Sequence, residues 1–146
     1  MTLSQTLLAG LAFAALTAAP AARAQEALGD LTLSFPGLAT KSGVVMIAVY
    51  DSAQGWTSGK AARVAVAAAS DPAPSAKIPA LPVGTYAVRV FQDIDGDGKM
   101  SKNPFGLPTE PYGFSRDAMG AMGPPTFDDA AFEVKAGANV QALHLK

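Results

Sequence analysis

The stretch Asp93-Ile94-Asp95-Gly96-Asp97-Gly98-Lys99-Met100-Ser101 concentrates the side chains of this sequence best suited to chemistry. Three carboxylates at alternate positions repel one another unless a cation or solvent separates them. With Asp93 at position 1 of a calcium loop, Asp95 falls at 3, Asp97 at 5, Gly98 at 6, Lys99 at 7 and Ser101 at 9. That spacing offers three carboxylates, the Lys99 carbonyl and a hydroxyl or water at Ser101 to an ion that takes six to eight oxygens. Gly98 permits the sharp turn that wraps such ligands inward. The expected ion is Ca²⁺, with Asp93, Asp95, Asp97, Lys99 and Ser101 as its ligands. Ile94 and Met100 are candidates to anchor the loop to the core. Position 12 is Pro104 and the bidentate glutamate of an EF-hand is missing, so the expected affinity is weak, on the order of 10⁻⁴ to 10⁻³ M. Glu110 could reach back to the loop. The competing account is a metal-free turn, because Asp-x-Asp-Gly is also ordinary turn chemistry.

Elsewhere, groups able to carry catalysis are sparse. Glu110 with one of the loop aspartates, or with Asp128 or Asp129, could act as acid and base in a hydrolase. Adjacent residues of a strand point to opposite faces, so Asp128 and Asp129 make a poor pair; Asp128 suits a cap on the turn that enters the strand. Ser115 lacks the second glycine of a nucleophile elbow. His144, the only histidine, has no evident acid partner and suits an exposed strand position. Met100, Met119 and Met122 are soft donors for Cu(I) in principle, but without a nearby histidine they suit gap filling. Trp56, Tyr112 and Phe114 could stack on a sugar ring or a peptide proline; the alternative is that they cover the open end of the fold.

The elements that must position these groups read as strands. Leu31 to Phe35 alternates apolar and polar. Gly43 to Tyr50 is almost wholly apolar, as expected of a central strand buried on both faces. Asp51 to Gly59 is turn-rich, and Asp71-Pro72-Ala73-Pro74 turns; between them the alanines of Ala61 to Ala69 favour helix, but Arg63-Val64-Ala65-Val66 suits a strand and the segment is taken as one. Gly84 opens a strand with Tyr86, Val88 and Val90 on one face and Thr85, Ala87 and Arg89 on the other. Residues 102–127 hold five prolines and four glycines among seven large apolar side chains. Breakers at that density predict a long irregular loop that packs locally. Ala130 to Lys135 is a strand with Phe132 and Val134 inward, residues 136–139 turn, and Val140 to Lys146 is the last strand. About seven strands at regular spacing predict an all-β sandwich.

The chain of 146 residues is 49% hydrophobic, enough for one domain with its own core. A net charge of −1 gives no reason to expect nucleic acid. The lack of cysteine excludes disulfides and thiolate chemistry. An apolar run from Leu7 to Ala19, then Ala22-Arg23-Ala24, predicts a signal peptide over residues 1–24, although no Lys or Arg precedes it. The run is short of the roughly 20 residues that span a bilayer. The mature domain, residues 25–146, is therefore expected in the periplasm or medium, with no transmembrane segment.

From Phe91 to Phe132 the sequence resembles DUF2141, a family of small secreted bacterial proteins of unknown function. The resemblance lies in Asp93 to Lys99, in Phe105-Gly106-Leu107-Pro108-Thr109-Glu110-Pro111-Tyr112-Gly113-Phe114-Ser115, and in Gly123 to Ala130. The approach from Leu81 to Tyr86 also resembles immunoglobulin-like and transthyretin-like or carboxypeptidase-regulatory sandwiches. There a tyrosine hydroxyl bonds back to the upstream backbone. The resemblance implies a secreted sandwich and no particular activity. The expected function is a non-catalytic envelope module that presents its Pro/Gly/aromatic loop to a protein or an envelope glycan. The alternatives are a hydrolase using Glu110 and a purely structural envelope protein.

Overall fold

The structure is a computed structural model that describes residues 26–146. The expected signal peptide lies outside the described residues. Among the described residues, no helix is long and apolar enough to cross a membrane.

Among the described residues, eight strands form a β-sandwich of two sheets. The smaller sheet has the order β4-β1-β8, with β1 Leu28–Ser34, β4 Ser75–Pro82 and β8 Gly137–Ala142. The larger follows β3-β2-β5-β6, with β2 Val44–Tyr50, β3 Arg63–Ala68, β5 Gly84–Asp93 and β6 Tyr112–Phe114. The eighth strand, β7 Phe132–Val134, pairs with the start of β5. β1 runs antiparallel to β4 and parallel to β8. β5 is the spine of the larger sheet, pairing with β2, β6 and β7 along its ten residues.

Alternation along each strand selects what is buried. Leu31, Leu33 and Phe35 from one sheet meet Val45, Ile47 and Val88 from the other in a closed core. Within β5, Tyr86, Val88 and Val90 face this core and Ala87 and Arg89 face away, the split expected from the sequence. Phe132 and Val134 are buried, again as expected. Tyr86 donates its hydroxyl hydrogen to the Pro82 carbonyl at 2.8 Å, tying the entry of β5 to the end of β4.

The architecture departs from the sequence expectation in five places. β2 is central but not buried on both faces: Val45, Ile47 and Val49 are buried while Val44, Met46 and Ala48 are only half-buried. Residues 75–82, not foreseen as a strand, form β4. Its prolines are tolerated because it lies at the edge of its sheet, where a missing N–H breaks no ladder on the open side. The turn-rich segment contains a short helix, α1 Ala53–Ser58, started by Ser52, whose side chain accepts the Gly55 N–H, and ended by Gly59 at φ 75°. The long loop is interrupted by β6, and α2 Phe127–Ala130 follows it. The last strand opens at Gly137, inside the expected turn, and stops at Ala142.

These additions build a second, smaller core on the outer face of the larger sheet. Tyr50, Trp56, Ala87, Phe114 and Ala130 are buried there, with Tyr112 and Phe127 packed against them. The two short helices and the segment after β6 thus cover one end of that face.

Candidate functional site

The acidic loop begins where β5 ends. Asp93 is the last residue of β5 and is only 3% exposed. Its two oxygens accept the N–H groups of Gly96 (Oδ1, 2.8 Å) and Gly98 (Oδ2, 2.9 Å), so one carboxylate closes the turn. Gly96 and Gly98 take φ of 78° and 76°, values that favour glycine. Asp95 Oδ1 accepts the Asp97 N–H at 3.1 Å, and Asp97 Oδ1 accepts the Lys99 N–H at 2.7 Å. The Ser101 hydroxyl donates to Asp95 Oδ2 at 3.3 Å. Alternate aspartates are therefore also a run of side-chain turns: Asp95 and Asp97 each fix the amide two residues on, and Asp93 those three and five residues on. Ile94 is 40% exposed and does not anchor the loop.

One oxygen from each of Asp93, Asp95 and Asp97 lies within 4.8 Å of the other two. Oxygens around a single Ca²⁺ stand about 2.3–2.6 Å from it, so no two can be more than about 5 Å apart. The three carboxylates pass that test. Lys99 lies on the exposed side of the turn with its N–H committed to Asp97, and Ser101 is half-buried against Asp95.

Glu110 does reach back, but to backbone. Its Oε1 accepts the Ile94 N–H at 2.8 Å and its Oε2 the Ser101 N–H at 2.9 Å. The carboxylate is 7% exposed and spans the two ends of the acidic loop. Between Ser101 and Glu110 the chain folds into a small hairpin. Thr109 N–H bonds the Ser101 carbonyl, Lys102 bridges Pro108, and Asn103 Oδ1 accepts the N–H groups of Phe105 and Leu107. The hairpin tip points its apolar groups outward: Phe105 is 89% exposed and Leu107 62%.

The three aromatics considered for ligand stacking lie on the outer face of the larger sheet, away from this tip. Trp56 and Phe114 are buried and Tyr112 is half-buried. Trp56 packs edge-on to Tyr50 and Phe127, and its indole N–H donates to the Pro125 carbonyl at 3.0 Å. Their rings are spent largely on one another, as a cover for the sheet. Arg89, which the sequence placed on a strand face but gave no role, lays its guanidinium 3.8 Å from the Trp56 ring centroid and 5.1 Å from that of Tyr50.

Residues 34–142 match a family model described as an uncharacterized protein conserved in bacteria. The chain belongs to this family, DUF2141. The matched span holds seven strands and the last residue of β1, together with the acidic loop, the hairpin and the aromatic cover. No curated protein and no solved structure matches the chain.

Several groups of this DUF2141 chain sit otherwise than the sequence implied. His144 does have an acid partner: its Nδ1 lies 2.9 Å from Asp117 Oδ2, and its backbone N–H bonds Asp117 Oδ1 at 3.0 Å. The backbone bond from His144 is the main reason the Asp117 carboxyl is held below its ordinary pKa. The partner is 27 residues away, and Asp117 takes φ 50°, so neither strand period nor local spacing exposes the pair. Asp128 and Asp129 lie on α2, not on a strand. Thr126 is the cap, and Asp129, not Asp128, completes it, exchanging hydrogen bonds with Thr126 that lower the Asp129 pKa. Ser115 is fully buried between the Val88 N–H at 2.9 Å and the Ala130 carbonyl at 2.6 Å, a structural post. Gln92 is also fully buried, and its amide donates to the carbonyls of Thr40 and Ser42 at 2.9 and 2.8 Å.

Proposed function

We propose that this chain is an exported, non-catalytic binding or accessory module of the cell envelope, whose acidic loop takes Ca²⁺ and so stiffens the Ser101–Glu110 hairpin for presentation to a protein or glycan. The observation that carries this reading is the convergence of Asp93, Asp95 and Asp97 to within 4.8 Å at the foot of that hairpin. Glu110 joins the two: it holds the amides at both ends of the acidic loop, so an ion that orders the loop also orders the hairpin root. Phe105 and Leu107, exposed at the tip, are the apolar contacts such a surface would offer.

The hydrolase alternative loses support from the same geometry. Both Glu110 oxygens are occupied by backbone amides in a nearly closed setting, which leaves them poorly placed to meet a substrate proton. The metal-free alternative has one observation in its favour: the aspartates already satisfy the amides of their own turn.

Isothermal calorimetry of residues 25–146 with Ca²⁺ decides between the two. The expected result is saturable binding on the order of 10⁻⁴ to 10⁻³ M, weakened by Asp95→Asn and by Asp97→Asn. Absence of heat at millimolar Ca²⁺, with an unchanged melting temperature, rules out the metal.

A further inference from the structure

We propose that the uncovered part of the larger sheet's outer face binds a single-chain carboxylate amphiphile, a short fatty acid, with its tail on the strand surface and its carboxylate on Arg89.

Register places the surface. Val64, Ala48 and Arg89 form one row across β3, β2 and β5; Val66, Met46 and Phe91 form the next. Val64 is 77% exposed and Val66 55%, while Met46, Ala48 and Phe91 are half-buried. α1 and α2 cover the neighbouring end of the same face, where Trp56 of α1 lies over Arg89 and Ala48 packs against the same cluster. Ala48, the smallest of the six, leaves a trough, and the hollow measures about 460 Å³. That is the size of a small-molecule site, and it is lined almost wholly by apolar side chains.

Arg89 supplies the charge that selects the occupant. Among the described residues no carboxylate lies within ion-pair distance of its guanidinium, and its buried Nε has no hydrogen-bond partner. The Trp56 ring holds the group from one side and fixes its plane. A half-buried cation without a counter-ion is costly, and a planar guanidinium matches a carboxylate through paired N–H donors. On its other flank Arg89 borders a second hollow of about 360 Å³, but Asp128 lines that one and repels an anion. The apolar side is therefore where a carboxylate meets Arg89. Tail and head requirements together describe an anionic amphiphile. The site is separate from the acidic loop and does not depend on a metal there.

The test uses decanoate below its micelle concentration, read by the fluorescence of Trp56, the only tryptophan, with and without Ca²⁺. The expected result is a saturable change in Trp56 emission with decanoate, and far weaker binding of decanol and decyltrimethylammonium. Arg89→Gln should weaken decanoate about ten- to a hundredfold, the loss of a charge-assisted pair. Because Arg89 supports Trp56, a second variant, Val66→Glu, places a charge on an exposed position and should abolish binding while the fold and any Ca²⁺ binding persist. Equal affinity for decanoate and decanol overturns the proposal. So does a dimer broken by Val66→Glu with no saturable decanoate binding, which would assign the face to a second copy of the chain. Binding that is the same in chelator and in Ca²⁺ separates this site from the metal loop.

Discussion

At the scale of single residues, Glu110 carries the most structural consequence. It is a nearly buried carboxylate that accepts two backbone N–H groups and, among the described residues, meets no cationic side chain. Hydrogen bonds to a charged group contribute about 1.5–3 kcal/mol each, roughly twice a neutral pair. Glu110→Gln keeps the shape but replaces one accepting oxygen with a donor that faces an N–H. The expected loss is about 2–3 kcal/mol in denaturant unfolding, with faster amide exchange at Ile94 and Ser101 and little change deep in the sheets. If those two amides exchange no faster in the variant, Glu110 is not the clamp. Arg89 illustrates the opposite case, a cation held by an aromatic face and without an ion pair among the described residues. Burial pulls its pKa down from the ordinary value while Tyr50 opposes the shift, and a guanidinium still stays charged.

At the scale of elements, the sandwich depends on how β5 is entered and left. Its entry is held by Tyr86, whose hydroxyl bonds the Pro82 carbonyl and whose ring is buried in the main core. Burial raises the Tyr86 pKa, so the hydroxyl keeps its proton and remains a donor. Tyr86→Phe retains the ring and removes one hydrogen bond, so a loss of about 1 kcal/mol is expected. A chemical-denaturation midpoint equal to that of the parent protein would show that the β4–β5 corner holds without it. The exit of β5 is shaped by Gly43. A Cβ there would collide with the Asp93 carbonyl, and φ is 72°. The acidic loop thus leaves the sheet through a passage that only glycine opens, which ties the loop's geometry to the start of β2.

At the scale of the whole molecule, carboxylates outside the acidic loop make stability depend on acid. Asp30, held first by its hydrogen bond with Lys77, Asp117, held first by the His144 amide, and Asp129, held first by the Thr126 hydroxyl, all have lowered pKa values. They bind protons more readily in the unfolded chain than in the folded one. Their contribution is complete above the ordinary carboxylate value of 3.8 and is lost as pH falls through the lower folded values. The unfolding midpoint should therefore hold near neutrality and drop below about pH 4. In Asp117→Asn with Asp129→Asn the drop should be shallower; an equally steep fall would place the acid sensitivity elsewhere. These groups sit on β1, on α2 and after β6, so the loss is spread over the smaller sheet and the outer cover of the larger one.

The sequence alone determined the strands whose one-dimensional pattern carries their burial, because a period of two is a local property of the chain. β1, β5 and β7 were legible for that reason, as were the two faces of β5 and the family resemblance in the motifs after it; β3 was read from residue preference against alanines that favour helix. The turn made by Asp93, Asp95 and Asp97 was legible too, since side chain to amide bonds two to five residues apart are local. What only the tertiary structure decided involves partners far apart in the chain: Glu110 on the amides of Ile94 and Ser101, His144 on Asp117, Arg89 on Trp56. β4 was hidden because prolines are read as breakers until the edge position is known. The second core was hidden because the outer side chains of β2 and β5 find their cover only when α1, β6 and α2 are folded over one sheet face. Burial on that face is set by contacts between distant segments, and no spacing within any one of them encodes it.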